Sequence, residues 1–249
     1  MFYALFKWLI FAPIVRVVLR GKAEGEENIP QHGPAILAGN HIAAADAYVL
    51  PALVRRAMIY PAKAELFRGD RGIGSKVVAI FLKLVNQVPM NRADPKDRLA
   101  ALAPILQRLV DGGLVAIYPE GTRSVDGRLY KGKTGVARLA LAANVPVIPV
   151  AAFNTYKAKG PFGIPWLKKP RMVIGKPLYF SEYVAGIDDP EMLRWVTDEI
   201  MYAVQQLSGQ TYVDVYCSSV KHGAVSMEKA DASVLPRPGG GDPPALPVR

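Results

Sequence analysis

The stretch AILAGNHIAAADAYVL, Ala35 to Leu50, opens as a strand and closes as a helix. Its first five residues are apolar without alternation, the pattern of a strand covered on both faces. Asn40 and His41 end the run, and Asp46 stands early in the following helix. Other short apolar runs repeat the opening of this unit: MIYPA (58–62), LVAIYP (114–119), VPVIPVA (145–151) and RMVIG (171–175). Helical patterns lie between them. In 95–111, Asp94 can cap, Pro95 takes the first helical position, Leu99, Leu102, Leu106 and Leu109 recur at helical spacing, and Gly112 and Gly113 stop the run. Pro104 is expected to kink it. In 190–207, Asp189 caps, Pro190 opens, and Leu193, Val196, Ile200, Ala203 and Leu207 share a face before Gly209. Such alternation predicts an α/β fold: a single domain with a largely parallel central sheet flanked by helices.

The chain has 249 residues, enough for a sizeable core. No repeat or linker interrupts 25–212, which reads as one domain. Residues 213–249, ending in PRPGGGDPPALPVR, lack periodicity and are rich in Pro and Gly, so a disordered tail is expected. Residues 1–24 are apolar and aromatic, with Lys7, Arg16 and Arg20 interspersed. Their longest uncharged run after Lys7, Trp8 to Val15, is far short of the roughly 20 residues of a membrane span. A helix lying in a membrane interface fits them, and so does a first core helix.

The formal net charge of +10 favours an anionic partner. The lone cysteine, Cys217, excludes an intramolecular disulfide and suits a reducing compartment. His32, His41, His222 and Cys217 are too scattered for a zinc set, and no metal is expected. No nucleic-acid fold pattern is present, so nucleic acid is not an expected partner. From Tyr156 to Lys176, six cations and no acid interleave with Phe162, Ile164, Trp166 and Leu167. That predicts an interfacial loop in which Phe162, Trp166, Lys168 and Lys169 meet an anionic membrane surface.

Three segments bear on chemistry. Gly127 to Thr134 matches the phosphate loop G-x-x-x-x-G-K-[ST], but it leaves no strand directly and its interior RLYK is bulky. His41 and Asp46 are five residues apart, about 140° on a regular helix, so they meet only if His41 sits in the loop before it. Then Asp46 would orient a histidine base that lacks a local Ser or Cys nucleophile, which fits attack by a substrate hydroxyl. Spacing alone leaves a surface histidine and a helix-capping aspartate as the plainer reading. In YPEGTRS (118–124) a strand end delivers Glu120, Gly121, Thr122 and Arg123 to a turn where Arg123 could grip a phosphate. Taken singly, that turn also reads as an ordinary one with a Glu–Arg surface pair.

Together, H-x-x-x-x-D after one strand and E-G-T-R after another resemble the glycerolipid acyltransferase family, typified by lysophosphatidate acyltransferases. AKAELF (62–67) resembles the family's lysine segment with Lys63, Arg92 of VPMNR stands where its second motif has arginine, and VPVIPVA resembles its fourth motif. The resemblance covers roughly 28–176. Two positions depart from it: Asn86 replaces a glycine before Arg92, and Tyr118 stands where Phe is commoner. The resemblance implies that His41, oriented by Asp46, deprotonates the hydroxyl of a lysophospholipid acceptor such as 1-acyl-glycerol-3-phosphate. The alkoxide then attacks the thioester of acyl-CoA or acyl-carrier protein as co-substrate. It also implies that Arg92, Arg123 and Lys63 bind the acceptor phosphate, that Glu120, Gly121 and Thr122 position the substrate, and that no cofactor is required. Glycerol-3-phosphate, or another lysolipid or glycolipid, remains an alternative acceptor by the same His–Asp mechanism. A place at the cytoplasmic face of a membrane, peripheral or monotopic, would follow.

Overall fold

The computed structural model describes residues 7–70, 72–84, 87–90, 98–156, 158–159 and 165–246. After two helical turns, Lys7–Phe11 and Ile14–Val18, come β1 (Lys22–Glu24), β2 (Ala35–Gly39), α1 (Asp46–Leu53), β3 (Met58–Ile59), β4 (Pro61–Lys63) and α2 (Ile73–Leu84). There follow β5 (Val88–Met90), α3 (Arg98–Val110), β6 (Leu114–Ile117), β7 (Leu129–Tyr130), α4 (Gly135–Ala143), β8 (Val147–Phe153), β9 (Ala158–Lys159), β10 (Pro165–Trp166) and β11 (Arg171–Ile174). The last elements are α5 (Pro190–Ser208), β12 (Tyr212–Val213), α6 (Cys217–Lys221), α7 (Met227–Asp231) and β13 (Val234–Leu235).

The main sheet has the order β1-β11-β8-β2-β6-β3. Strands β8, β2, β6 and β3 run parallel, β11 is antiparallel to β8, and β1 is parallel to β11. All of β2 is buried, and its alternation divides the core in two. Leu37 packs with Val49, Leu50 and Leu53 of α1 and with Ile148 and Val150. Ile36 and Ala38 pack on the other face with Ile105 and Leu109 of α3, Val136 and Leu139 of α4, and Leu193, Val196 and Ile200 of α5. The strand therefore needs apolar residues at every position. Helix α5 begins where capping chemistry puts it: Asp189 accepts from the Glu191 N–H at 2.9 Å, Pro190 needs no partner for the N–H it lacks, and Gly209 closes the helix at φ 65°. Helix α3 includes Pro104; Asp94 and Pro95 lie outside the described residues.

The N-terminal turns serve the core on one side only. Ala12 and Val15 are buried, whereas Trp8, Leu9, Ile14, Val17 and Val18 are exposed. Buried Lys7 donates to the carbonyls of Val54 (2.6 Å) and Arg55 (2.9 Å), and Arg16 donates to Leu53 at 2.5 Å. Both cations thus satisfy carbonyls at the end of α1, where the helix dipole is negative. Burial lowers the Lys7 pKa to about 8. The expected boundary at residue 24 falls inside the sheet, because Lys22–Glu24 is β1.

The expected disordered tail is folded through most of its length. Strand β12 pairs in parallel with β7, and β13 pairs with β12. Val213, Cys217 and Ala230 are buried together with Tyr130. The Pro–Gly segment packs on α5 through the Arg237–Glu199 ion pair at 2.5 Å, the Arg237 guanidinium 4.0 Å from the Tyr202 ring, and the Gln205 side chain donating to Pro236. Composition misled here because these residues need little apolar surface of their own. They add to a core that β7 and α5 already supply.

Candidate active site

The end of β2 is held before it reaches the histidine. Asn40 is buried, accepts from the Ala152 N–H on β8 at 2.7 Å and donates to the Gln210 side chain at 2.7 Å. His41 follows in the loop, with Asp46 at the start of α1. The loop curls so that Asp46 Oδ2 accepts from the N–H groups of Ile42 (2.8 Å) and Ala43 (2.9 Å) and lies 2.9 Å from His41 Nδ1. An ionised carboxylate accepts the Nδ1–H, which leaves the Nε2 lone pair free to take a proton. The imidazole also stacks on Tyr118, with ring centroids 4.0 Å apart and an interplanar angle of 11°. Its plane is therefore held from one edge and one face.

The turn after β6 is built against this loop. Glu120 is buried, and its two carboxylate oxygens accept from the N–H of His41 (2.9 Å) and of Tyr130 on β7 (3.0 Å). Burial pushes its pKa up to about 8, against the pull of those two donors. The carboxylate expected to position the substrate clamps the histidine loop to β7. Gly121 takes φ 71°, and a Cβ there would lie 3.2 Å from Lys133 Cδ, so the turn calls for glycine. Thr122 is half-buried and Arg123 exposed. The Ser124 N–H donates to the His41 carbonyl at 2.7 Å, which places Arg123 one residue from the histidine's own backbone.

The structure brings His41, Asp46, Glu120, Gly121, Thr122 and Arg123 to one place. Arg92 and Phe162 lie outside the described residues, as do the side chains of Lys63 and Trp166; the Lys63 backbone belongs to β4 and that of Trp166 to β10. Lys168 and Lys169 are exposed on the loop before β11. The Gly127–Thr134 match is no phosphate cradle. The N–H groups of Gly127, Arg128, Leu129, Tyr130, Lys131 and Lys133 all donate to acceptors of the chain itself.

Sequence reasoning missed three neighbours of the site. The Gln210 side chain donates to the Gly127 carbonyl at 2.5 Å while accepting from Asn40. Lys221 Nζ lies 3.2 Å from Thr122 Oγ1. The Cys217 thiol, raised to about 11 chiefly by burial, donates to the Arg123 carbonyl at 3.3 Å. Cys217 and Lys221 come from the segment read as disordered, Gln210 stands just before it, and no local pattern marks them.

Comparison with known proteins gives the family. Residues 20–152, more than half of the chain, match the family model described as Acyltransferase. A chloroplastic 1-acyl-sn-glycerol-3-phosphate acyltransferase of Brassica napus is 31% identical over 163 residues, covering 64% of this chain and 45% of its own. The 1-acyl-sn-glycerol-3-phosphate acyltransferase of Borreliella burgdorferi is 30% identical over 131 residues, covering 53% of this chain and 50% of its own. The chain thus spans about half the length of the curated relatives it matches. The crystal structure of the 1-acyl-sn-glycerophosphate (LPA) acyltransferase PlsC from Thermotoga maritima has the same fold, with a TM-score of 0.57 at 24% identity, covering 84% of this chain and 81% of that one. With the matched segment running from the start of the sheet through β8, the chain belongs to the acyltransferase family.

Proposed function

We propose that the protein moves a fatty acyl group from the thioester of acyl-CoA or acyl-carrier protein to the free hydroxyl of 1-acyl-glycerol-3-phosphate, giving phosphatidic acid. The observation that carries this reading is the His41–Asp46 contact of 2.9 Å beside a turn that presents Arg123. His41 Nε2 takes the hydroxyl proton as the oxygen attacks the thioester carbon. A C–O bond forms, the tetrahedral oxyanion collapses, the C–S bond breaks, and the imidazolium returns its proton to the departing thiolate. Asp46 stabilises the imidazolium between these steps. Arg123, Arg92 and Lys63 hold the acceptor phosphate, and Gly121 and Thr122 shape the turn beneath it. The route asks for no metal, resident cofactor or covalent enzyme intermediate.

The acceptor's acyl chain places the enzyme at a membrane surface, on the cytoplasmic face, where acyl thioesters are available. The exposed row Trp8, Leu9, Ile14, Val17 and Val18 suits that surface, as does the basic, aromatic loop with Phe162, Trp166, Lys168 and Lys169. No described helix is long and apolar enough to cross a membrane. The test is release of free thiol and formation of phosphatidic acid when purified protein meets lysophosphatidate and acyl-CoA or acyl-carrier protein. Thiol release with no acceptor of a lysolipid panel would reject the reading. Release with glycerol-3-phosphate alone would move the acceptor.

A further inference from the structure

Between β4 and β5 the chain makes an excursion that carries Leu66 and α2. Ile73, Val77 and Ile80 recur at i, i+4 and i+7 on α2 and are 82%, 60% and 58% exposed; Val78 and Leu66 are exposed as well. The opposite side is already occupied, because Ala79 and Leu82 are buried. Single exposed apolar residues are ordinary, but a row of them along one helix face marks a surface that something covers.

The charge around the row selects the occupant. From Arg71 to Arg92 the sequence carries four cations, Arg71, Lys76, Lys83 and Arg92, and no acid. An apolar helix face in a stretch of sequence whose charged residues after Asp70 are all cations matches an anionic lipid surface: the side chains enter the headgroup boundary and the cations meet the lipid charges. The placement also matters for the site. Strands β4 and β5 pair in parallel with Lys63 opposite Met90, so both ends of the excursion are held together. Lys63 directly precedes the turn Ala64–Phe67, and Arg92 is two residues beyond Met90. Lys63 and Arg92 are the proposed phosphate ligands.

We propose that the Ile73–Val77–Ile80 face of α2 docks on anionic membranes and thereby holds the acceptor-binding strands β4 and β5 at headgroup depth, where a lysophosphatidate carries its phosphate. The link to the acceptor rests on the acyltransferase reading; the docking itself does not.

The experiment uses the full chain. Val77→Cys is labelled with an environment-sensitive dye; buried Cys217, with its raised pKa, stays unlabelled. Anionic vesicles should shift the emission to the blue, more than neutral vesicles do, and salt should weaken the shift. A label at Val110→Cys, exposed on α3, should not shift. No shift at position 77 overturns the proposal, and so does a shift that grows with protein concentration without lipid, which would make a second copy the occupant. Ile73→Glu with Val77→Glu should raise KM for long-chain lysophosphatidate in vesicles about tenfold. The same pair should leave turnover of a short-chain, water-soluble lysophosphatidate unchanged. An unaltered KM in vesicles overturns the proposal. Should the parent protein turn over neither substrate, the acyltransferase reading fails, and the dye alone decides the docking.

Discussion

Two regions converge on His41 and were unequally visible beforehand. The first, Ala35 to Leu53, carries its own reactive residues and its own geometry: a strand, a loop and a helix whose first residue reaches back to the loop. The second, Gln210 to Asp231, holds the site from behind. Gln210 joins Asn40 to Gly127, Cys217 and Lys221 reach the Glu120–Arg123 turn, and β12 supports β7. Glu120 belongs to neither but connects them, with one oxygen on the His41 loop and the other on β7. The proposed chemistry is thus concentrated in one region, and that region is held in place by another far away in sequence.

The largest expected effect sharpens this division. His41→Ala should lower turnover about 10²–10⁴-fold while leaving the unfolding midpoint nearly unchanged, since the ring contributes the base and little of the core. Steady-state thiol release and urea unfolding check the two halves; retained turnover breaks the assignment. Next comes Glu120→Gln. The amide sets a donor against one of two backbone N–H groups and should cost about 1–3 kcal/mol of stability. The pH dependence is diagnostic. The folded state keeps the Glu120 proton up to about 8, whereas the unfolded chain releases it near the ordinary value of 4.5. Stability from this group is present below 4.5 and lost as pH rises through about 8, and Glu120→Gln should flatten that limb in unfolding measured across the window.

Gln210→Ala tests whether the second region positions the first. It removes an acceptor from Asn40 and a donor from Gly127, and should cost about 1–2 kcal/mol in thermal or urea unfolding. If the link orients the loop, kcat falls as well, and an unchanged kcat would make Gln210 a purely structural strut. The smallest effect belongs to Lys221→Ala. The side chain is exposed, so stability should hold within about 0.5 kcal/mol. Standing beside Thr122, its charge should show as a roughly two- to fivefold rise in acceptor KM with kcat unchanged, diminished at high salt.

Much of the fold was legible because its central strands β2, β6 and β8 are buried almost throughout. AILAG became β2 residue for residue, and 190–207 became α5 with the caps its flanking residues announce. The His41–Asp46 contact was not legible from spacing. Five residues set neither a helix face nor a distance, and the two backbone N–H groups that Asp46 accepts are what curl the loop. The same holds for Glu120. Nothing in its local sequence announced that both its oxygens accept from N–H groups 79 and 10 residues away.

By itself the sequence determined the alternation of strand and helix, the basic charge and the residue types placed at the strand ends, because periodicity and caps are local properties. Only the tertiary structure decided that 213–241 is folded, that the Gly127–Thr134 stretch contains an internal strand rather than a phosphate loop, and that Tyr118 stacks on the histidine. Each depends on hydrogen bonds or packing between segments far apart in the chain, and no local pattern encodes such a partner.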